Sequence, residues 1–153
     1  MALARIEVLQ GRTSGEKKRL IEAVRTALSE ALKAPADDPA VRLAEYPHEQ
    51  FLLPYPDRHS DFYTLIEVTM FAGRSMDTKR RLYGAIVQKL AALGVPEDDV
   101  LIVLHEPTME NWAVSGGIPA SEVDVGFKVD ASGDGQISPP VQERAHREVE
   151  RDQ

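Results

Sequence analysis

Leu3 to Arg12 reads LARIEVLQGR and Leu65 to Arg74 reads LIEVTMFAGR, a recurrence that limits the possible folds more than any other feature of the chain. In the same register Lys17-Lys18-Arg19-Leu20 falls on Lys79-Arg80-Arg81-Leu82, Val24 on Ile86 and Leu28 on Leu90. After one deleted residue Pro35 falls on Pro96, Glu45 on Glu106, and His48-Glu49-Gln50-Phe51 on Met109-Glu110-Asn111-Trp112. Matches held in register over so long a stretch imply that the two halves fold alike. Two copies are too few to stack as a solenoid, so one pseudo-symmetric domain is expected.

Each copy has the pattern of a β-α-β unit. Leu3 to Leu9 alternates, with Ala4, Ile6 and Val8 on one face and Leu3, Arg5, Glu7 and Leu9 on the other. Thr13-Ser14-Gly15-Glu16 has the spacing of a capping box. Leu20, Ile21, Val24, Ala27, Leu28, Ala31 and Leu32 follow at helical spacing, and the helix is predicted to stop near Ala34-Pro35. Residues 40–45 read as a short strand, parallel to the first because a helical crossover joins them. The second copy predicts a strand from Leu65 to Phe71 and a helix opened by Ser75, with Leu82, Ile86, Leu90 and Leu93 inward and Gly94 and Pro96 closing it. Its last strand, Val100 to Leu104, is apolar without a break, which predicts cover on both faces. Residues 46–63, which include Pro47, Pro54 and Pro56, read as a loop or linker.

The resulting fold class is α/β (α+β), with tandem β-α-β units forming a four-stranded sheet and two helices on one face. We assign residues 1–129 to a single domain, with pseudo-repeats 2–53 and 64–118 around a linker at 54–63. Residues 130–153, rich in Gly, Pro and charge, read as a flexible tail with a frayed helix from Val141. The second face of the sheet carries Leu3, Leu9, Leu65 and Phe71, and no third helix is evident to cover it. Association of subunits is the expected cover.

A length of 153 residues suits one domain with a real core. The net charge of -7 argues against general nucleic-acid binding but allows a local basic pocket. No apolar run approaches the ~20 residues of a membrane helix, and MALARIEVLQGR lacks a signal-peptide pattern, so no membrane partner and a cytoplasmic location are expected. With no cysteine there is neither thiol catalysis nor a thiolate metal site. His48, His59, His105 and His146 lack metal-ligand spacing and read as surface or structural residues, so no metal or other cofactor is expected. Asp130 to Ile137 matches the start of a calcium loop, but Val141 stands where a bidentate glutamate is required, so a flexible turn is expected.

The repeated strand-GR-S/T-helix pattern, followed by Pro35 or Pro96 and closed by Phe51 or Trp112, resembles the tautomerase superfamily. VLQGRT, APADDPAV and EYPHEQF make the first half similar to a 4-oxalocrotonate tautomerase subunit. The double length resembles the malonate semialdehyde decarboxylase and cis-3-chloroacrylic acid dehalogenase groups. QGRT at 10–13, Asp38, GRS at 73–75 and ENW at 110–112 lie on the decarboxylase-like side. The resemblance spans residues 2 to about 126.

This resemblance implies an enzyme acting on a small 2-oxo or enol carboxylate, assembled as a homotrimer and using an amino-terminal proline exposed by removal of the initiator methionine. Ala2 stands in the place of that proline. Removal of Met1 would leave a primary α-amine, ordinarily of pKa about 8, that arginines and apolar walls would depress and that could move a proton or form an imine. The resemblance gives Ala2, Asp38 and Arg74 catalytic positions and Arg12, Arg42 and Arg74 the substrate carboxylate. Phe51 and Trp112 become apolar walls. Arg42 stands two residues beyond the family position, on the same strand face. Ala72 replaces a second arginine of the decarboxylase-like members, which bears against decarboxylation. Loss of the proline also leaves open a scaffold that binds a small acid or a protein without turnover.

Overall fold

The computed structural model describes residues 1–129 and 135–137. Strand β1 (Ala2–Leu9), helix α1 (Ser14–Leu32) and strand β2 (Ala40–Tyr46) form the first unit, and β3 (Thr64–Met70), α2 (Met76–Ala91) and β4 (Val100–His105) repeat it. The four strands make one sheet in the order β2-β1-β3-β4. Pairs β1/β2 and β3/β4 are parallel, as helical crossovers require, whereas β1 and β3 join the halves antiparallel, with Ile6 opposite Ile66.

Local signals explain the element ends. Thr13 caps α1, its hydroxyl accepting from the Glu16 N–H at 3.2 Å while the Glu16 carboxylate accepts from the Thr13 N–H at 3.4 Å. Lys33 ends α1 in the left-handed region at φ 53°, its N–H donating to the Ser29 carbonyl. Ser75 caps α2 by accepting from the Thr78 N–H at 3.2 Å. Both helices lie on one face and pack with Ala4, Ile6, Val8, Ile66, Val68 and Met70 into a single core. The duplication extends to side-chain pairs. Lys17 Nζ lies 2.8 Å from Glu45 Oε1, and Lys79 Nζ lies 2.8 Å from Glu106 Oε2.

Four expectations need correction. Leu3 and Leu65 do line the second face, but Leu9 and Phe71 are buried within the chain. Phe71 sits under Met109, Trp112, Val114, Ala120 and Val125, because the chain after β4 folds back over that end of the sheet. Leu93 is 39% exposed, since α2 ends at Ala91 and the chain turns at Gly94 before the helical period can bring it inward. Among the described residues strand β4 is covered on one face only, with Leu101 47% and Val103 36% exposed in the isolated chain.

Beyond β4 the chain adds two hairpins. Strands β5 (Ala113–Val114) and β6 (Ile118–Pro119) are joined by Ser115-Gly116-Gly117, all at positive φ, where glycine carries no Cβ penalty. Strands β7 (Phe127–Val129) and β8 (Gly135–Ile137) pair antiparallel, so three residues of the segment read as a tail are strand. Residues 130–134, where the calcium-loop pattern begins, and 138–153, including the helix expected from Val141 and His146, lie outside the described residues. Among the described residues no helix is long and apolar enough to cross a membrane.

Candidate functional site

The antiparallel junction decides which residues meet. Ala2 opens β1 opposite Met70, so Arg74, just past β3, lies at the same end of the sheet as Ala2. The turn after α1 brings Asp38 there too, because β2 starts parallel to β1 with Ala40 opposite Leu3. The Met1 amine lies 3.3 Å from Asp38 Oδ2. That oxygen is buried and makes no directed hydrogen bond, so the contact is a charge pair whose acceptor capacity is not used up. The adjacent Asp37 points outward and reaches Arg25 Nη2 at 3.2 Å. Of the two neighbouring acids it is therefore Asp38 that faces the amine.

Arg74 is buried, and its Nη1 donates to the Phe71 carbonyl at 3.2 Å. Burial pushes the guanidinium below its ordinary value, while the charges of Glu106 and Asp38 pull it back up. An aromatic pair stands at the same end. Phe71 and Trp112 meet edge to face with centroids 4.8 Å apart, and the Trp112 indole N–H donates to the Pro107 carbonyl at 3.4 Å. The Ala72 N–H donates to the same carbonyl at 3.3 Å, which fixes the loop between β3 and Arg74. A half-buried carboxylate beside the amine, a buried guanidinium and an aromatic pair thus share one end.

Arg12 and Phe51 lie elsewhere. Arg12 follows β1 and so stands at the opposite end of that strand from Ala2. Phe51 packs there against Tyr46 and Tyr63, with ring centroids 5.7 and 6.1 Å away. Arg42 sits within β2 opposite Arg5, exposed on the face away from the helices. Within one chain, then, Ala2, Asp38, Arg74 and Trp112 are brought together, whereas Arg12, Arg42 and Phe51 are not among them.

One buried cluster was not read from the sequence. Asp99 accepts hydrogen bonds from the Ser60 N–H at 3.2 Å and from the Ser60 hydroxyl, and its Oδ1 lies 3.0 Å from His59 Nδ1. Burial alone would raise the Asp99 carboxyl, but the bonds from Ser60 and His59 outweigh it and hold the group below its ordinary value. Tyr63 beside it is pushed up by burial and by the Asp99 charge. The repeat held the signal, because the alignment that places Pro35 on Pro96 also places Asp38 on Asp99. Among the described residues no group of three or more His, Cys, Asp or Glu is placed to hold a metal ion.

The chain is a duplicated β-α-β sheet with an amine, a carboxylate and a guanidinium at one end, and comparison with known sequences identifies its family. Residues 3–54 match one family profile and residues 53–115 a second, both described as tautomerase enzyme. The chain belongs to the tautomerase superfamily. A probable tautomerase of Ralstonia nicotianae (strain ATCC BAA-1114 / GMI1000) is 38% identical over 58 residues, covering 37% of this chain and 81% of that protein. Among solved structures, FG41 malonate semialdehyde decarboxylase inhibited by 3-bromopropiolate superposes with a TM-score of 0.70 at 28% identity, covering 80% of this chain and 98% of the other. A fused 4-OT described as a symmetric trimer superposes with a TM-score of 0.70 at 27% identity, covering 78% and 96%.

Proposed function

We propose that this protein is an enzyme that moves a proton on a small carboxylate bearing a 2-oxo or enol group, using the amine of residue 2 once Met1 is removed. The observation that carries the reading is that the chain's amino terminus, here the Met1 amine one residue before Ala2, lies 3.3 Å from Asp38 at the sheet end where Arg74 is buried. Arg74 takes the substrate carboxylate, for which a guanidinium offers paired donors. Asp38 orients the amine, and the amine relays the proton between carbon and oxygen. The Phe71–Trp112 wall excludes water from the reacting atoms. Ala2 in place of a cyclic amine keeps the nitrogen but releases the ring constraint on its position.

Further features support the assembly and the limits of the reading. Leu101 and Val103 expose an apolar strip beside Leu3 and Leu65, which suits burial in a homotrimer in the cytoplasm, and a neighbour 27% identical is described as a symmetric trimer. The second reading is a catalytically silent binder of small acids, favoured by Ala2 itself. Decarboxylation is disfavoured by Ala72, which supplies no second cation beside Arg74.

The test combines intact mass with ketonisation of phenylenolpyruvate by the wild type and by Ala2→Pro and Arg74→Ala variants. The expected outcome is a mass lacking Met1, measurable wild-type turnover, and a fall of about 100-fold in kcat/KM for Arg74→Ala, the size of a lost charged hydrogen-bond pair. A wild type that is inert while Ala2→Pro turns over moves the assignment to the silent binder. Inertness of both ends the enzymatic reading.

A further inference from the structure

The repeat maps Arg5 onto Glu67, and these two residues face each other across β1 and β3. An approximate two-fold axis therefore passes through that pair, and each end of the sheet carries one copy of the same arrangement. At one end stand Ala2, Asp38 and Arg74. At the other stand their counterparts Thr64, Asp99 and Arg12.

The second copy differs at each position. Thr64 lies within the chain and has no free amine. Asp99 is engaged by His59 and Ser60 and does not face the guanidinium as a spare acceptor. Arg12 Nη2 is buried and makes no hydrogen bond. Its guanidinium carbon lies 5.4 Å from the centroid of the Phe62 ring, a cation–π position that fixes the plane of the fork. Burial pushes this guanidinium below its ordinary value, while Glu16 and Glu45 act on it by charge to raise it.

A cavity of about 590 Å³ opens on Arg12, with Leu9, Leu20, Phe62 and Leu93 as its apolar lining. Two carboxylates also line it, each with a neighbour of its own in an exposed setting. Glu16 accepts from the Thr13 N–H at 3.4 Å, and Asp61 lies 3.4 Å from His48 Nε2. A buried N–H without an acceptor costs free energy that an incoming anion recovers. We propose that this cavity is a second site, which binds a small monocarboxylate with a short apolar body and does not turn it over. The carboxylate lies on Arg12 and the body against Leu9, Leu20, Leu93 and Phe62. The volume is within the range of small-molecule sites. Having no amine, this end can hold an acid but cannot exchange a proton through one.

The test is titration of the full chain with benzoate, followed by NMR at the amides of Gly11, Arg12 and Phe62, with Trp112 fluorescence reporting the opposite end. The expected result is saturable movement of those three amides. Arg12→Gln weakens it at least about tenfold, and so does Leu93→Glu, which sets a carboxylate at the cavity without altering Arg12. Arg74→Gln leaves it unchanged. Absence of movement at these amides, or movement that survives both Arg12→Gln and Leu93→Glu, overturns the proposal, as does movement abolished by Arg74→Gln alone.

Discussion

Asp99 shows how a single side chain can turn one copy of a repeated arrangement into a structural element. Its carboxylate is buried, accepts from Ser60 and lies against His59, and its folded value lies below the ordinary one. A depressed carboxylate contributes stability that is present above the unfolded value, about pH 4, and is lost as the pH falls through the lower folded value. Urea unfolding across an acid pH series is therefore expected to show a declining limb below about pH 4, and Asp99→Asn to flatten it. At neutral pH the same substitution is expected to cost about 2–3 kcal/mol, as for a hydrogen-bonded charged group. Some of this scale was legible in the sequence. The resemblance assigned Ala2, Asp38, Arg74, Arg12, Arg42, Phe51 and Trp112 to one site, and of these the fold brings Ala2, Asp38, Arg74 and Trp112 to one end of the sheet, while Arg12, Arg42 and Phe51 lie elsewhere. The choice between Asp37 and Asp38 was not legible, because both follow Pro35 in one turn and only the direction of each side chain separates them.

Elements were legible where a period and a cap coincided. The alternation of β1, the capping box of α1 and the stripe from Leu20 to Leu32 each state one geometry, and the chain adopts it. Thr13→Ala is expected to lower stability by about 1 kcal/mol in denaturant titrations, the usual cost of losing a hydroxyl cap. The twin pairs Lys17–Glu45 and Lys79–Glu106 tie each helix to the strand that follows it. Both are partly exposed, so double-mutant cycles are expected to return only about 0.2–1 kcal/mol for each, falling as salt is added. What periodicity could not state was the junction between the units. Crossover rules fix strands within a β-α-β unit, but not how two units meet, and the antiparallel β1/β3 pairing is what sends Arg12 and Arg74 to opposite ends. Phe71 was misplaced because part of what covers it, Ala120 and Val125, lies past the end of the second repeat, where periodicity predicts no contact.

At the scale of the molecule, the open face sets the expected behaviour in solution. Leu3, Leu65, Leu101 and Val103 form an apolar strip, interrupted by Arg5, Glu7 and Glu67, that no element among the described residues covers. Leu101→Glu places a charge on that strip without touching the core. Sedimentation is expected to shift from the proposed trimer to monomer while circular dichroism stays unchanged. The halves themselves are held by the β1–β3 seam and by α1 against α2, and the stretch that links them, residues 54–58, is exposed throughout. A chain built in this way is divisible. Cut at that stretch, it would yield two complementary fragments, each with its own parallel strand pair and helix, whose recombination rebuilds both ends of the sheet together, because each end takes its arginine from one fragment and its acid from the other.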